Sequence, residues 1–409
     1  MKSDVLIIGA ELDGLLAALR LRDLGFSVRL LCSDTGSLSY VPGGIRLLGN
    51  SDGTGLNPVI RPFEGLSALP DQHPYSLVGT AAVKTALQWF FERCDSEMEL
   101  QRPNGQNQQV PSSAGQPLSF YAPLKSQLSF QKLKEENVIL VSFQGHQDFA
   151  GKLVAQELST AGVLLTEVEL PSLGGRTDTV GIARAFDRVE DFQNQFQPLF
   201  DLATDHEAKI VLFPAVLGLK RHQQVLREFS DQGLTCGEIP TLPPSVPGLR
   251  FTQNLQSQLA GVSALIHPST KVDGFELDGN RVRAVFDDKG QRYDCSTLIL
   301  SNGGILMGGL EVSSRHVISE TSLGLEAIAA TGVGSGTIEE ALDGLHRSGI
   351  EVDEQLRPTQ IGHGTIENLF VTGATLAHWN PIQEASAEGV SIATAWAAAQ
   401  ASQSFLEAQ

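Results

Sequence analysis

Two sets of residues in this chain have types and spacing suited to chemistry. The first is a glycine turn in "VLIIGAELDGLLAALRLRDLGFSVRLLCSD", residues 5–34, where Gly9 and Gly14 stand between an apolar run and a helical pattern. Glycines so placed let a backbone approach a phosphate at a helix N-terminus. The middle glycine of such a turn is replaced by Glu11, which adds bulk and charge where an anion would rest. Asp13 adds a second carboxylate to the same turn. The other set is Arg46, Arg250 and Arg357, candidates to grip a phosphate through two parallel hydrogen bonds. Pairing with carboxylates or backbone carbonyls is the plainer role open to each. No carboxylate pair, nucleophile–histidine arrangement or metal spacing points to a hydrolytic mechanism.

The elements around the turn are those of a Rossmann-type βαβ unit. "DVLIIG" is a continuous apolar run, as in a strand buried on both faces. Apolar residues between Leu12 and Gly25 recur at helical spacing, and "FSVRLLC" supplies a second strand. Gly9 makes the tight turn and Gly14 allows close helix–strand packing, so the fold-making parts are present while the anion position is altered. Cys32, followed by Asp34, ends the second strand where a dinucleotide enzyme usually keeps an acid for the ribose. An acid in a first helical turn is favoured by up to about 1 kcal/mol. Glu11 is therefore itself a candidate occupant of the anion site.

Farther along, "YVPGGIRLLG" places Gly43 and Gly44 in a segment that reads equally as a plain turn and as a stretch passing a flavin. "VGTAAVKTALQWFFERCDSEM" is an amphipathic helix, and "QRPNGQNQQVPSSAGQPLS" reads as an exposed loop. From about residue 135 strands and helices alternate: "NVILVSFQG", "FAGKLVAQELSTA", "GVLLTEVEL", "KIVLFPAVLGL" and "RHQQVLREFSDQG". This predicts an inserted α/β region. "GEIPTLPPSVPGLR" is stiffened by prolines, and "VDGFELDGNRVRAVFDDKG" resembles paired strands. "STLILSNGGI", with Gly303 and Gly304, and "ENLFVTGATL", with Gly373, read as strands returning to the nucleotide domain. The final helix should point its N-terminus, with Ser386, Gly389 and Val390, at the pyrimidine end of a flavin. The expected boundaries are 1–134 for the first part of the nucleotide domain, 135–262 for the insertion and 263–409 for the return.

Composition limits the functional classes. With 47 acidic and 29 basic side chains the net charge is −18, which argues against nucleic acid and against electrostatic attachment to anionic lipid. The four cysteines stand far apart, so any iron–sulfur relay is expected on another chain. No apolar run reaches the length of a spanning helix, and a cytoplasmic protein with reduced thiols is expected.

"HPYSLVG", "EVELPS", "IPTLPPSVPGLR", "GGILMGGLE", "LRPTQIGHGTIENLFVTGATL" and "NPIQEASAEGV" resemble, in this order, the B subunit of the anaerobic glycerol-3-phosphate dehydrogenases. The resemblance runs from Met1 nearly to the C-terminus. It implies a flavoprotein-like fold and a flavin, with FMN favoured over FAD. It also implies two partners, a catalytic flavoprotein chain like the family's A subunit and an iron–sulfur chain like its C subunit. The membrane is then reached only through a partner. The implied function is flavin-dependent electron transfer within a complex that passes reducing equivalents from glycerol 3-phosphate toward quinone. His363 and His378 would lie near the flavin as catalytic candidates. Departures from the family pattern gather at the cofactor. An opening like GGGLAG is here "GAELDG", and a turn like GCGGGV is here filled by Glu384, Ala385, Ser386, Ala387 and Glu388. Ala377 and His378 replace a further glycine pair, with Trp379 beside them. A protein that keeps the fold and holds no flavin, serving structure or assembly, is the alternative.

Overall fold

The structure is a computed structural model that describes residues 2–409 except 34–35, 51–56, 263, 335 and 361–363. The chain divides into two compact units, one of Met1–Ser37, Arg46–Asp95 and Asn254–Gln409, the other of Leu38–Ile45 and Ser96–Gln253.

The first unit is built on strands β1 (Lys2–Ile8), β2 (Val28–Cys32), β3 (Leu265–Pro268), β4 (Val272–Asp278), β5 (Arg281–Asp287), β6 (Arg292–Leu300) and β7 (Leu369–Val371), with helices α1 (Leu12–Asp23) and α2 (Ala387–Glu407). The strand order is β4-β5-β6-β1-β2-β3, and β7 pairs with the end of β6. β3, β2, β1, β6 and β7 run parallel, with Ile8 opposite Leu31 on one side and Leu300 on the other. β4 and β5 form the expected antiparallel pair and join β6. This is the Rossmann-like fold expected from the opening unit. Val5, Leu6 and Ile7 are fully buried, which is why that strand reads as an unbroken apolar run. Small residues on α2, among them Ala393, Ala395, Ala398 and Ala399, are buried and let α1 pack closely against it.

Gly9 holds the switch from β1 to α1. Its φ is +104°, and a Cβ there would come within 1.7 Å of the Ser301 carbonyl oxygen at the end of β6. Gly9→Ala is therefore expected to lower stability by roughly 3–4 kcal/mol, because it combines backbone strain with an overlap against backbone that has no rotamer to yield. Denaturant unfolding of the variant would contradict this if the midpoint stayed within error of wild type.

The second unit centres on a parallel four-stranded sheet, in the order Leu165–Leu170, Val138–Phe143, Ile210–Pro214, Thr235–Ile239. One face is covered by a cluster containing Phe143, Phe186, Phe196, Phe213 and Phe229, the other by one containing Leu140, Val154, Leu158 and Leu212. This unit begins earlier than residue 135. The stretch read as an exposed loop contains an antiparallel hairpin, Gln108–Pro111 with Pro117–Phe120, whose Val110 and Phe120 are buried. Its strands, QQVP and PLSF, are four residues each, too short to show the alternation on which a strand reading depends.

Candidate functional site

In an open parallel sheet, ligands lie beyond the carboxyl ends of the strands, where neighbouring loops part. Here that position is held by Glu11. Its side chain is buried, and its carboxylate accepts from the Ser37 backbone N–H at 3.1 and 3.0 Å and from the Ser37 hydroxyl. A Cβ added to Gly303 would lie 2.7 Å from Glu11 Oε1, and one added to Gly36 would lie 3.4 Å away. The carboxylate thus joins three segments: the turn after β1, the loop after β2 and the turn after β6.

Asp13 makes a second connection two residues along. Thr372 Oγ1 donates to it at 2.6 Å, and Ser391 Oγ at 3.4 Å. Burial pushes its carboxyl above the usual range, against the lowering effect of these hydrogen bonds. Gly373, at φ +61°, leaves room for it, since a Cβ there would come 2.4 Å from Asp13 Oδ1. The Gly373 N–H is itself engaged, donating to Thr394 Oγ1 at 3.1 Å. Gly304 backs onto the Ala374 carbonyl, and Gly14 onto the Gly9 carbonyl and Ser301.

The N-terminus of α2 is closed by a third carboxylate. Glu388, in its first turn, accepts from Arg46 Nε at 2.8 Å, Arg46 Nη2 at 2.6 Å and the Arg46 backbone N–H at 3.2 Å. Only 13% of the Arg46 side chain and 3% of Glu388 are exposed. Burial alone would lower the Arg46 pKa, but the Glu388 charge and hydrogen bonds carry it above its ordinary value. The Gly389 N–H donates to the Arg46 carbonyl at 2.9 Å, and the Val390 N–H to the Ser386 carbonyl at 3.0 Å. Gly389 lets Tyr75 approach, since a Cβ there would lie 2.1 Å from the phenol oxygen. That phenol donates to the Leu47 carbonyl at 2.7 Å. Its pKa is pushed well up by burial, and further by Glu384 and Glu388.

Glu384 completes the arrangement. It meets His73 Nε2 at 3.0 Å, the Asn380 N–H at 3.0 Å, Ser386 Oγ at 3.2 Å and Arg347 Nη1 at 3.5 Å. His73 Nδ1 accepts from the Tyr75 N–H at 3.0 Å, so its other nitrogen carries the proton and donates to Glu384. The Ser386 hydroxyl, a candidate flavin donor in the sequence, is thereby engaged by Glu384.

The remaining candidates lie apart. Arg250, in the second unit, donates to both Glu238 oxygens at 2.9 and 2.8 Å. Arg357 pairs with Asp353 at 2.7 Å. Gly43 and Gly44 also belong to the second unit, where their φ values of +84° and +73° bring them against Leu124 and Pro247, and against Phe120. His378 is partly exposed, has φ +72°, meets Glu351 at 3.4 Å and lines a cavity of about 230 Å³ with Gln72, Leu77 and Glu351. His363 lies outside the described residues. Each of the three arginines thus has a carboxylate partner. Among the described residues, no group of three or more His, Cys, Asp or Glu is placed to hold a metal ion. Sequence reasoning missed Ser37, His73, Tyr75 and Thr372, although "HPYSLVG" stands out as a family segment.

Comparison with known proteins matches residues 4–390 to the FAD binding domain family. The chain is 27% identical over 416 residues to the B subunit of the anaerobic glycerol-3-phosphate dehydrogenase of Yersinia enterocolitica, covering 97% of this chain and 96% of that one. The protein of the same name from Vibrio cholerae is 27% identical over 435 residues, covering 97% and 95%. Among solved structures, the 3-ketosteroid delta1-dehydrogenase from Sterolibacterium denitrificans is 11% identical over the whole of both chains, with a TM-score of 0.45. The family description names FAD, and nothing in it supports placing FMN first.

The residues present do not fit the group that the family implies. A pyrophosphate at the turn after β1 would meet the Glu11 carboxylate, and the Ser37 donors beside it are already taken. At the start of α2, the Arg46 donors are taken by Glu388. Both ends of a dinucleotide site therefore present a buried carboxylate with its own partners.

Proposed function

This chain belongs to the FAD binding domain family, and from that membership we propose that it serves as one component of an oxidoreductase complex of the anaerobic glycerol-3-phosphate dehydrogenase type. The observation that carries this reading is the extent of the likeness: the B-subunit relatives are matched over 97% of this chain and 96% of theirs, so both compact units have counterparts. A chain kept only as a nucleotide-binding domain would have no need of the second unit.

On this reading the partners are a catalytic flavoprotein chain and an iron–sulfur chain, corresponding to the A and C subunits of such a complex. Electrons drawn from glycerol 3-phosphate pass toward quinone through groups held by those partners. No helix among the described residues is long and apolar enough to cross a membrane, so attachment to one is assigned to a partner. The separated cysteines accord with that division, since all four are buried.

Co-expression of the three chains tests the proposal. The expected result is a stable complex on size exclusion with glycerol 3-phosphate:quinone-analogue reductase activity that falls at least tenfold when this chain is omitted. If this chain elutes alone and activity is unaffected by its removal, the proposal fails.

A further inference from the structure

We propose that this chain's own carboxylates have taken over the dinucleotide site, Glu11 standing in for a pyrophosphate and Glu388 for the anionic edge of a ring, so that the chain binds neither FAD nor FMN. The inference rests on side chains within the first unit and not on the complex.

Three features of the arrangement point the same way. First, each carboxylate takes donors that a cofactor would otherwise use. The loop after β2 turns its Ser37 N–H and hydroxyl to Glu11, and the segment packed against the start of α2 turns the Arg46 N–H and guanidinium to Glu388. Second, the contacts are too close for a shared site. Gly303, whose added Cβ would lie 2.7 Å from Glu11, leaves space for the carboxylate and not for a phosphate beside it. Third, charge opposes entry. A pyrophosphate would add negative charge next to Glu11 and Asp13, both buried, where like charges are poorly screened.

The two ends also separate the cofactors. FMN has no AMP arm but keeps one phosphate, so Glu11 opposes it with less charge than it opposes the pyrophosphate of FAD. Glu388 acts on both alike, because a reduced flavin carries its negative charge at the ring edge that a helix N-terminus ordinarily faces. The first turn of α2 holds a carboxylate there already, bonded on three sides to Arg46.

The test uses the full-length wild-type chain, purified without added flavin and again after incubation with millimolar FAD or FMN. The expected result is no flavin absorbance, none released by acid, and no rise in thermal midpoint with either flavin. Stoichiometric release of FAD or FMN, or a saturable rise in midpoint, would overturn the proposal. ADP then probes the pyrophosphate end alone. Glu11→Gly should gain an ADP-dependent rise in midpoint that wild type lacks. Should that variant not fold, Glu11→Ala removes both the charge and the bulk without glycine's backbone freedom and is expected to gain the same response. A folded Glu11 variant as indifferent to ADP as wild type would overturn the role assigned to Glu11. All of these are read on the chain alone, so failure of the complex to assemble would not alter them.

Discussion

Replacing Glu388 with alanine is expected to lower the unfolding free energy by about 3–5 kcal/mol, since it leaves the Arg46 guanidinium buried without its partner. The pair has almost no solvent to screen it, and three hydrogen bonds end on the one carboxylate. A surface ion pair would cost about 1 kcal/mol or less on the same substitution, so the size of the loss separates the two cases. Replacing both partners, as in Arg46→Met with Glu388→Leu, should recover most of the loss, because no unpaired charge then remains. Chemical denaturation of the two single variants and the double variant measures the coupling directly. If the double variant is as unstable as the sum of the singles, the stabilisation does not come from this pair.

The second large effect is expected in the other unit. Glu238 accepts from Arg250 at 2.9 and 2.8 Å, from Ser126 Oγ at 3.0 Å and from the Leu217 N–H at 3.1 Å, and it meets His222 Nε2 at 3.0 Å. His222 Nδ1 lies 2.5 Å from Glu99 Oε2. Burial would raise the Glu238 pKa, but Arg250 and His222 overcome it and hold the carboxyl far below the usual range. His222 is raised: burial and Arg250 work against its charged form, and its two carboxylate partners prevail. Glu99 is lowered by His222 and Arg250 against its own burial. Glu238→Ala should cost about 3–5 kcal/mol, because it strands the Arg250 guanidinium and leaves His222 with Glu99 alone.

The pH dependence follows from the same groups. A carboxyl depressed on folding stabilises the native state above its unfolded pKa, about 4.3 for glutamate. That contribution is lost as pH falls below it. A histidine raised on folding stabilises below its unfolded pKa, about 6.5, and the contribution disappears as pH rises through the folded value. Wild-type stability from this network should therefore be greatest between about pH 4.5 and 6.5 and decline above. His222→Gln should flatten that alkaline decline, and urea unfolding at several pH values would show whether it does. An unchanged slope in the variant would mean that His222 is not the group responsible.

How far the sequence revealed these features depended on how local their causes are. The β1–α1–β2 unit was legible because burial on both faces leaves a continuous apolar run and because Gly9 marks the turn. Strand Thr235–Ile239 gave no such sign: "TCGEI" contains Gly237 and Glu238, and its acid is tolerated inside only because Ser126, His222 and Arg250 converge on it. At the candidate site, Glu11 was visible as a break in a motif, but its partner Ser37 was not, since a serine in a loop carries no pattern. Arg46 was visible as a cation suited to phosphate. Its carboxylate lies 342 residues away in sequence, a distance at which no spacing rule operates.

The hydrogen bonds from Ser37 to Glu11 also bear on how the protein depends on its surroundings. A protein that binds a dissociable cofactor gains stability by RT ln(1 + [L]/Kd), so its folded population follows the supply of that molecule. Glu11 is part of the polymer, and the loop after β2 meets it at an effective concentration set by chain geometry rather than by diffusion. If the two carboxylates exclude both flavins as proposed, the native state of this chain would be the same whether the cell is rich or poor in riboflavin, and the chain would need no loading step and have no apo form to be singled out for degradation.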